Sequence, residues 1–208
     1  MSTSSCRVAL GQRQSQRLYS LEYAIVFANR STKIIEKANY TNRQIELGSR
    51  EKLLDRVAWA AYYNDRVYEG CTRSVLQALQ SHLHLENGAA IKASTALAGG
   101  VARMGETCGA LTGGIMAIGL VLGREELEDI QAYRVSMQAS YEMYNRFREE
   151  MGGSMCFEIH KKLLGSSFDF KIDEEAEEWY KAGGLEKCPM VCAIAARIAA
   201  DIILRLKA

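Results

Sequence analysis

The sequence has a single proline and three histidines, and it has no apolar run of the ~18 residues that a membrane-spanning helix requires. It lacks a Cys-x-x-Cys-His site for haem attachment, a Walker-type phosphate loop and a dinucleotide fingerprint. Its formal net charge of +1 creates no overall field for nucleic acid or a membrane surface. No secretory signal is visible. We therefore expect no haem or nucleotide cofactor, no nucleic-acid or membrane partner, and a cytoplasmic location.

What the sequence does contain favours helices. Of its 208 residues 48% are hydrophobic, so one domain can bury a core without disulfides or metals. Alanine, leucine, glutamate, glutamine and arginine fill long stretches, and all five are good helix formers. The composition predicts an all-α fold, a compact helical bundle.

The first 50 residues differ from the rest of the chain. They carry eight Lys/Arg against three Asp/Glu, and their apolar periodicity is weak. We expect residues 1–50 to form a basic N-terminal extension, partly helical (at 18–38) or loosely ordered. Residues 51–208 are expected to form one all-helical domain that carries the cysteine motif.

Apolar periodicity and glycine stops predict seven helices in that domain. Their expected ranges are 51–69, 72–83, 89–98, 109–122, 125–151, 155–164 and 189–206. Residues 173–180 are acidic and are expected to be exposed. The helix at 109–122 is apolar or small on every side, which places it at the centre of the bundle. Its glycines cost about 1 kcal/mol each relative to alanine, so they indicate close backbone approach.

Four of the six cysteines stand where helices are predicted to begin: Cys71, Cys108, Cys156 and Cys188. Free backbone N–H groups and the helix dipole favour a thiolate there, so we expect lowered thiol pKa values. The four are separated by 37, 48 and 32 residues, unlike the ligands of zinc ribbons or bacterial ferredoxins. Only tertiary folding could bring them to one site.

The segments around these cysteines resemble a known family. They read "GCTRSVLQAL", "GGVARMGETCGALTGGIMAIGL", "GSMCFEIHKKLLGSSFD" and "KAGGLEKCPMVCAIAARIAADII". Together they resemble the family of redox-active proteins named for its cysteine pattern, C_GCAxxG_C_C, over roughly residues 53–206. The glycine motif here reads C-G-A-L-T-G, a slight variant of the pattern. That family is in turn similar to a domain of the split-Soret cytochromes, in which an iron–sulfur cluster accompanies haem.

The resemblance implies that the four cysteines act together. The leading hypothesis is that they hold an iron–sulfur cluster for electron transfer or redox sensing with an unidentified redox partner protein. Gly105, Gly109 and Gly113 would make room for the inorganic core beside Cys108. Two alternatives stay open: a cofactor-free thiol–disulfide or zinc- or copper-handling protein, and a helical interaction module that forms a homodimer.

Two further residues have two interpretations each. Cys192 follows Cys188 by one helical turn and is either a spare ligand or resolving thiol, or a core residue in an apolar stripe. His160 follows Cys156 by one turn and either reaches a bound metal or thiolate, or is an ordinary buried histidine. Cys6 belongs to no motif.

Overall fold

The structure is a computed structural model that describes residues 42–207, with side chains from Gly48 onward. The predicted helix at 18–38 and Cys6 lie outside the described residues. Between residues 42 and 207 the chain forms α-helices and no β-strand, apart from one isolated bridge between Thr107 and Met155. The all-α prediction is confirmed. None of the described helices is both long and apolar enough to cross a membrane.

Residues 48–207 belong to one compact unit. A short 3₁₀ turn at Thr95–Leu97 follows its third helix. The helices are α1 (Asn42–Tyr68), α2 (Cys71–Leu83), α3 (Gly88–Ser94), α4 (Gly109–Leu122), α5 (Ile130–Met151), α6 (Cys156–Leu164), α7 (Asp173–Lys181) and α8 (Gly184–Lys207).

The glycine-rich helix α4 lies at the centre, as predicted, and packs against α2, α5 and α8. Its side chains Leu111 and Ile118 are fully buried among those helices. The neighbouring α2 buries an even larger share of its length, eight of thirteen residues against seven of fourteen in α4. The site described below is built around these two helices.

The glycines of α4 differ in what they allow. A Cβ at Gly113 would lie 2.5 Å from the carbonyl oxygen of Thr72, and a Cβ at Gly114 would lie 2.6 Å from Met143 Cε. A Cβ at Gly119 would meet nothing within 4 Å. Close approach of neighbouring helices therefore explains Gly113 and Gly114, which lie in the first half of α4. The expectation of close backbone approach was wrong for Gly119.

Two helix starts differ from the prediction. The last helix begins at Gly184, so Pro189 lies inside it rather than at its first position. The long helix α5 begins at Ile130, and the glutamates expected in its first turn precede it. Its cap is Asp129, whose side chain accepts a hydrogen bond from the Ala132 N–H.

The acidic segment expected to be an exposed piece forms helix α7, with three acidic residues in its first turn. Negative charge there suits the helix dipole. One face of α7 turns inward, because its Trp179 is only 8% exposed. The acidic residues indicated the exposed face of α7, and the sequence analysis did not predict that the opposite face is buried.

The apolar side chains of α5 are buried mainly toward its C-terminal end. Met143 and Phe147 are fully buried, whereas Ile130 and Met137 are 49% and 50% exposed. The second half of the helix therefore packs into the core, and the first half presents its apolar residues on the surface.

Candidate functional site

A cavity of about 550 Å³ lies between the helices and is lined by five thiols. Cys71 is the first residue of α2, and Cys108 directly precedes α4. Cys156 is the first residue of α6. Cys188 and, one turn later, Cys192 lie on α8. The four motif cysteines thus come from four helices, and the fold brings all of them to one place.

Backbone hydrogen bonds hold the start of α4 beside the start of α6. The Cys108 N–H donates to the Ser154 carbonyl at 2.9 Å, and the Cys156 N–H donates to the Glu106 carbonyl at 2.6 Å. The carbonyl of Gly105 accepts from the next N–H along α6 at 3.0 Å. Gly105 has a φ of 77°, the left-handed conformation that glycine adopts without strain. This pairing of short segments fixes two of the thiols relative to each other.

Helix α2 approaches α4 closely enough to place Cys71 over a glycine. A Cβ at Gly109 would overlap the Cys71 sulfur, and it would lie 2.6 Å from Thr72 Oγ1. Neither Gly109, Gly113 nor Gly105 lines the cavity. We expected these glycines to make room for an inorganic core. In the structure Gly109 and Gly113 make room for α2, and Gly105 permits a backbone turn. Their role beside an inorganic core stays a prediction.

His160 stands between two of the motif sulfurs. Its Nε2 lies 3.7 Å from the sulfur of Cys156 and 3.6 Å from the sulfur of Cys188. The two sulfurs are therefore separated by no more than the sum of these two distances. Burial lowers the pKa of His160 to about 4, so the ring is neutral at pH 7. Of the two interpretations of His160, the structure supports direct contact with the thiols.

Asp65 was not singled out from the sequence, yet it lines the cavity and is 6% exposed. Burial raises the pKa of this carboxyl to about 6, although a hydrogen bond with Cys192 acts in the opposite direction. The sequence could have indicated the burial of Asp65, because Val57, Ala61 and Asp65 are spaced by four residues and lie on the buried face of α1. A carboxylate on such a stripe needs partners.

The pKa values of the thiols contradict the expectation drawn from helix ends. Burial raises the pKa of Cys71, Cys108 and Cys156 to about 12, with a contribution from the charge of a neighbouring thiolate in each case. The pKa values of Cys188 and Cys192 are raised well above their ordinary range for the same reason. Backbone N–H groups at the start of α4 do favour the thiolate of Cys108, but desolvation outweighs them.

Cys188 also differs in its local position. It lies at the fifth residue of α8, not at the cap, because the helix begins at Gly184. The backbone N–H groups without a partner in the helix therefore belong to the turn that precedes Cys188. Nearby Cys192 is fully buried, and its sulfur lies 3.9 Å from the backbone oxygen of Cys71.

The donor set fits a soft metal group. Thiolates are the ligands that iron–sulfur clusters, zinc and copper(I) prefer, and this cavity presents five sulfurs and one imidazole. Among the residues with described side chains, no three His, Cys, Asp or Glu groups are placed to hold a single metal ion.

These features define an all-α protein in which cysteines from separate helices line one cavity. Residues 69–202 match the family described as "Putative redox-active protein (C_GCAxxG_C_C)". The matched segment is more than half of the chain, and the protein belongs to this family. No curated protein and no solved structure matches the chain.

Proposed function

We propose that Cys71, Cys108, Cys156 and Cys188 hold an iron–sulfur cluster that serves electron transfer or redox sensing. The observation that carries the proposal is the meeting of these four thiols, from four helices distant in sequence, on one cavity. Thiolates are the usual ligands of such clusters. The family description, which names redox activity, supports the same class of function.

The raised thiol pKa values support a site that binds positive charge. A buried thiol gives up its proton only where a cation compensates the charge left behind, and iron supplies that compensation. The backbone N–H groups of Gly99 and Thr72 favour the thiolate of Cys71, and those of Ala110 and Leu111, at the start of α4, favour the thiolate of Cys108. Hydrogen bonds to cluster sulfurs tune the reduction potential. A bound cluster would supply one-electron transfer.

A cofactor-free thiol–disulfide cycle is the weaker alternative, because the raised thiol pKa values disfavour it. The thiolate is the attacking species in disulfide exchange, and a pKa of about 12 leaves little of it at neutral pH. Thiols with raised pKa values are poor nucleophiles without an activating group. His160 is neutral but buried among aromatic rings, which disfavours the imidazolium that a proton-accepting base would become.

The test is the colour and the iron and sulfide content of protein purified without oxygen. We expect a brown protein with charge-transfer absorption and iron and acid-labile sulfide in comparable amounts. Cys108→Ser should lose both, and Cys6→Ser, outside the matched segment, should retain both. A colourless protein without iron after anaerobic reconstitution would refute the proposal. Stoichiometric zinc or copper in its place would support metal handling.

A further inference from the structure

Aromatic rings hold the imidazole of His160 in one orientation. The ring centroids of Phe168 and Phe170 lie 6.2 Å and 5.5 Å from that of His160, both in edge-to-face geometry, and the centroid of Trp179 lies 6.2 Å away. Aromatic rings at such distances pack favourably against one another. His160 is only 4% exposed, so its side chain has little room to turn away from these rings.

In this orientation the Nε2 atom of His160 faces two of the four motif sulfurs. It lies 3.7 Å from the sulfur of Cys156, on α6, and 3.6 Å from the sulfur of Cys188, on α8. The other two motif cysteines have backbone partners, because backbone N–H groups favour the thiolates of Cys71 and Cys108. One side chain thus serves the two motif sulfurs that come from α6 and α8.

The direction of these two hydrogen bonds depends on the charge of the sulfurs. A thiol can donate its proton to Nε2, but a thiolate can only accept. Cysteine binds a metal as the thiolate, so both sulfurs become acceptors when they act as ligands. Nε2 must then carry a proton, because its lone pair would otherwise face two negative charges. This holds for the neutral ring with its proton on Nε2 and for the imidazolium, in which both nitrogens are protonated.

Direct ligation is the competing role for His160. Four thiolates already supply the usual number of protein ligands for an iron–sulfur cluster, so a histidine is not needed as a fifth. In the part of the chain whose side chains are described, no three His, Cys, Asp or Glu groups are placed to hold one metal ion. His160 and its two cysteines therefore do not form a ready site for a single ion, and the donor role fits the geometry better.

We propose that His160 is a positioning residue that donates its Nε2 proton to the ligand thiolates of Cys156 and Cys188 and raises the reduction potential of the cluster. This inference rests on the proposed function, because it assigns His160 a role toward the cluster that those thiolates hold. Reduction adds one electron and makes the ligand sulfurs better acceptors. A donor shared by two of them stabilises the reduced state more than the oxidised state, and the potential rises.

The test compares the reduction potential of the iron-loaded parent protein with those of His160→Phe and His160→Gln. Phenylalanine keeps a ring among the three aromatic neighbours but removes the donor, whereas the glutamine amide reaches about as far as Nε2 and restores one. Stepwise reduction with dithionite, followed by EPR, measures each potential. We expect a more negative potential in His160→Phe and a potential close to that of the parent in His160→Gln. The control His84→Phe replaces an exposed histidine outside the cavity and should leave the potential unchanged.

Pulsed EPR separates a hydrogen-bond donor from a ligand. The reduced protein is prepared with ¹⁵N-labelled histidine, so that only imidazole and histidine backbone nitrogens contribute a ¹⁵N signal. A donor to the ligand sulfurs gives a weak coupling to the unpaired electron, and a nitrogen bound to iron gives a strong one. We expect a weak ¹⁵N coupling that disappears in His160→Phe and persists in His84→Phe.

Iron content and circular dichroism are measured on the same samples. Absence of iron from the parent protein would refute the cluster and this inference with it, whereas an unchanged or more positive potential in iron-loaded His160→Phe would overturn this inference alone. A strong ¹⁵N coupling, or loss of iron from folded His160→Phe, would make His160 a ligand and overturn the donor role. Should His160→Phe not fold, His160→Asn takes its place, because its shorter amide does not reach the position of Nε2.

Discussion

Two glycines of the central helix provide a matched pair of substitutions. In α4, Gly113 faces α2 at close range, and Gly119 faces open space six residues later. Both lie inside the same helix, so replacement by alanine changes helix propensity by a similar amount at each. The difference between Gly113→Ala and Gly119→Ala therefore isolates the cost of forcing α2 and α4 apart.

The magnitudes follow from the contacts. Alanine in a helix interior is favoured over glycine by about 1 kcal/mol, so Gly119→Ala should stabilise the protein by up to that amount. At Gly113 the new Cβ would lie 2.5 Å from the Thr72 carbonyl oxygen and 3.1 Å from Val75 Cβ. The first contact is with backbone, which moves only with its helix, and overpacking of this kind costs about 1–3 kcal/mol. The two variants should differ by that cost.

Thermal unfolding of iron-free protein measures the difference. At roughly 2–4 °C for each kcal/mol in a domain of this size, Gly113→Ala should melt several degrees below Gly119→Ala. Gly113→Leu should be more damaging still. If both alanine variants melt above the parent protein by the same amount, the close approach of α2 to α4 is wrong, and with it our account of how Cys71 is placed.

Two further predictions concern the cavity. Cys188→Ser should lose most bound iron under anaerobic conditions, and Cys192→Ala should retain it; equal loss would make Cys192 a ligand. In iron-free protein, the raised pKa of Asp65 contributes stability below about pH 4 that is lost as pH rises through about 6. The lowered pKa of His160 contributes stability above about pH 6.5 that is lost as pH falls through about 4. Denaturant unfolding from pH 4 to 6.5 should show a steeper acid loss in Asp65→Asn and a shallower one in His160→Gln, and identical slopes would contradict both assignments.

Local sequence signals predicted most of the helical framework. The bounds of α4 were predicted to the residue, since small and apolar residues run from Gly109 to Leu122 and end at Gly123. The start of α8 was missed because proline usually marks the first turn, whereas here Pro189 is accommodated one turn inside. Local sequence rules predict where most helices begin and end, but tertiary packing determines the ends of a particular helix such as α8.

The sequence by itself determined the all-α class, the central helix and the identity of the four motif cysteines. These features depend on residue type and on spacing within a few helical turns, and both can be read from a short segment of the sequence. Tertiary structure decided the rest of the site: the raised thiol pKa values, the contact of His160 with two sulfurs, and the burial of Asp65. Desolvation and hydrogen bonding depend on which distant segments surround a group, and no local pattern specifies those neighbours.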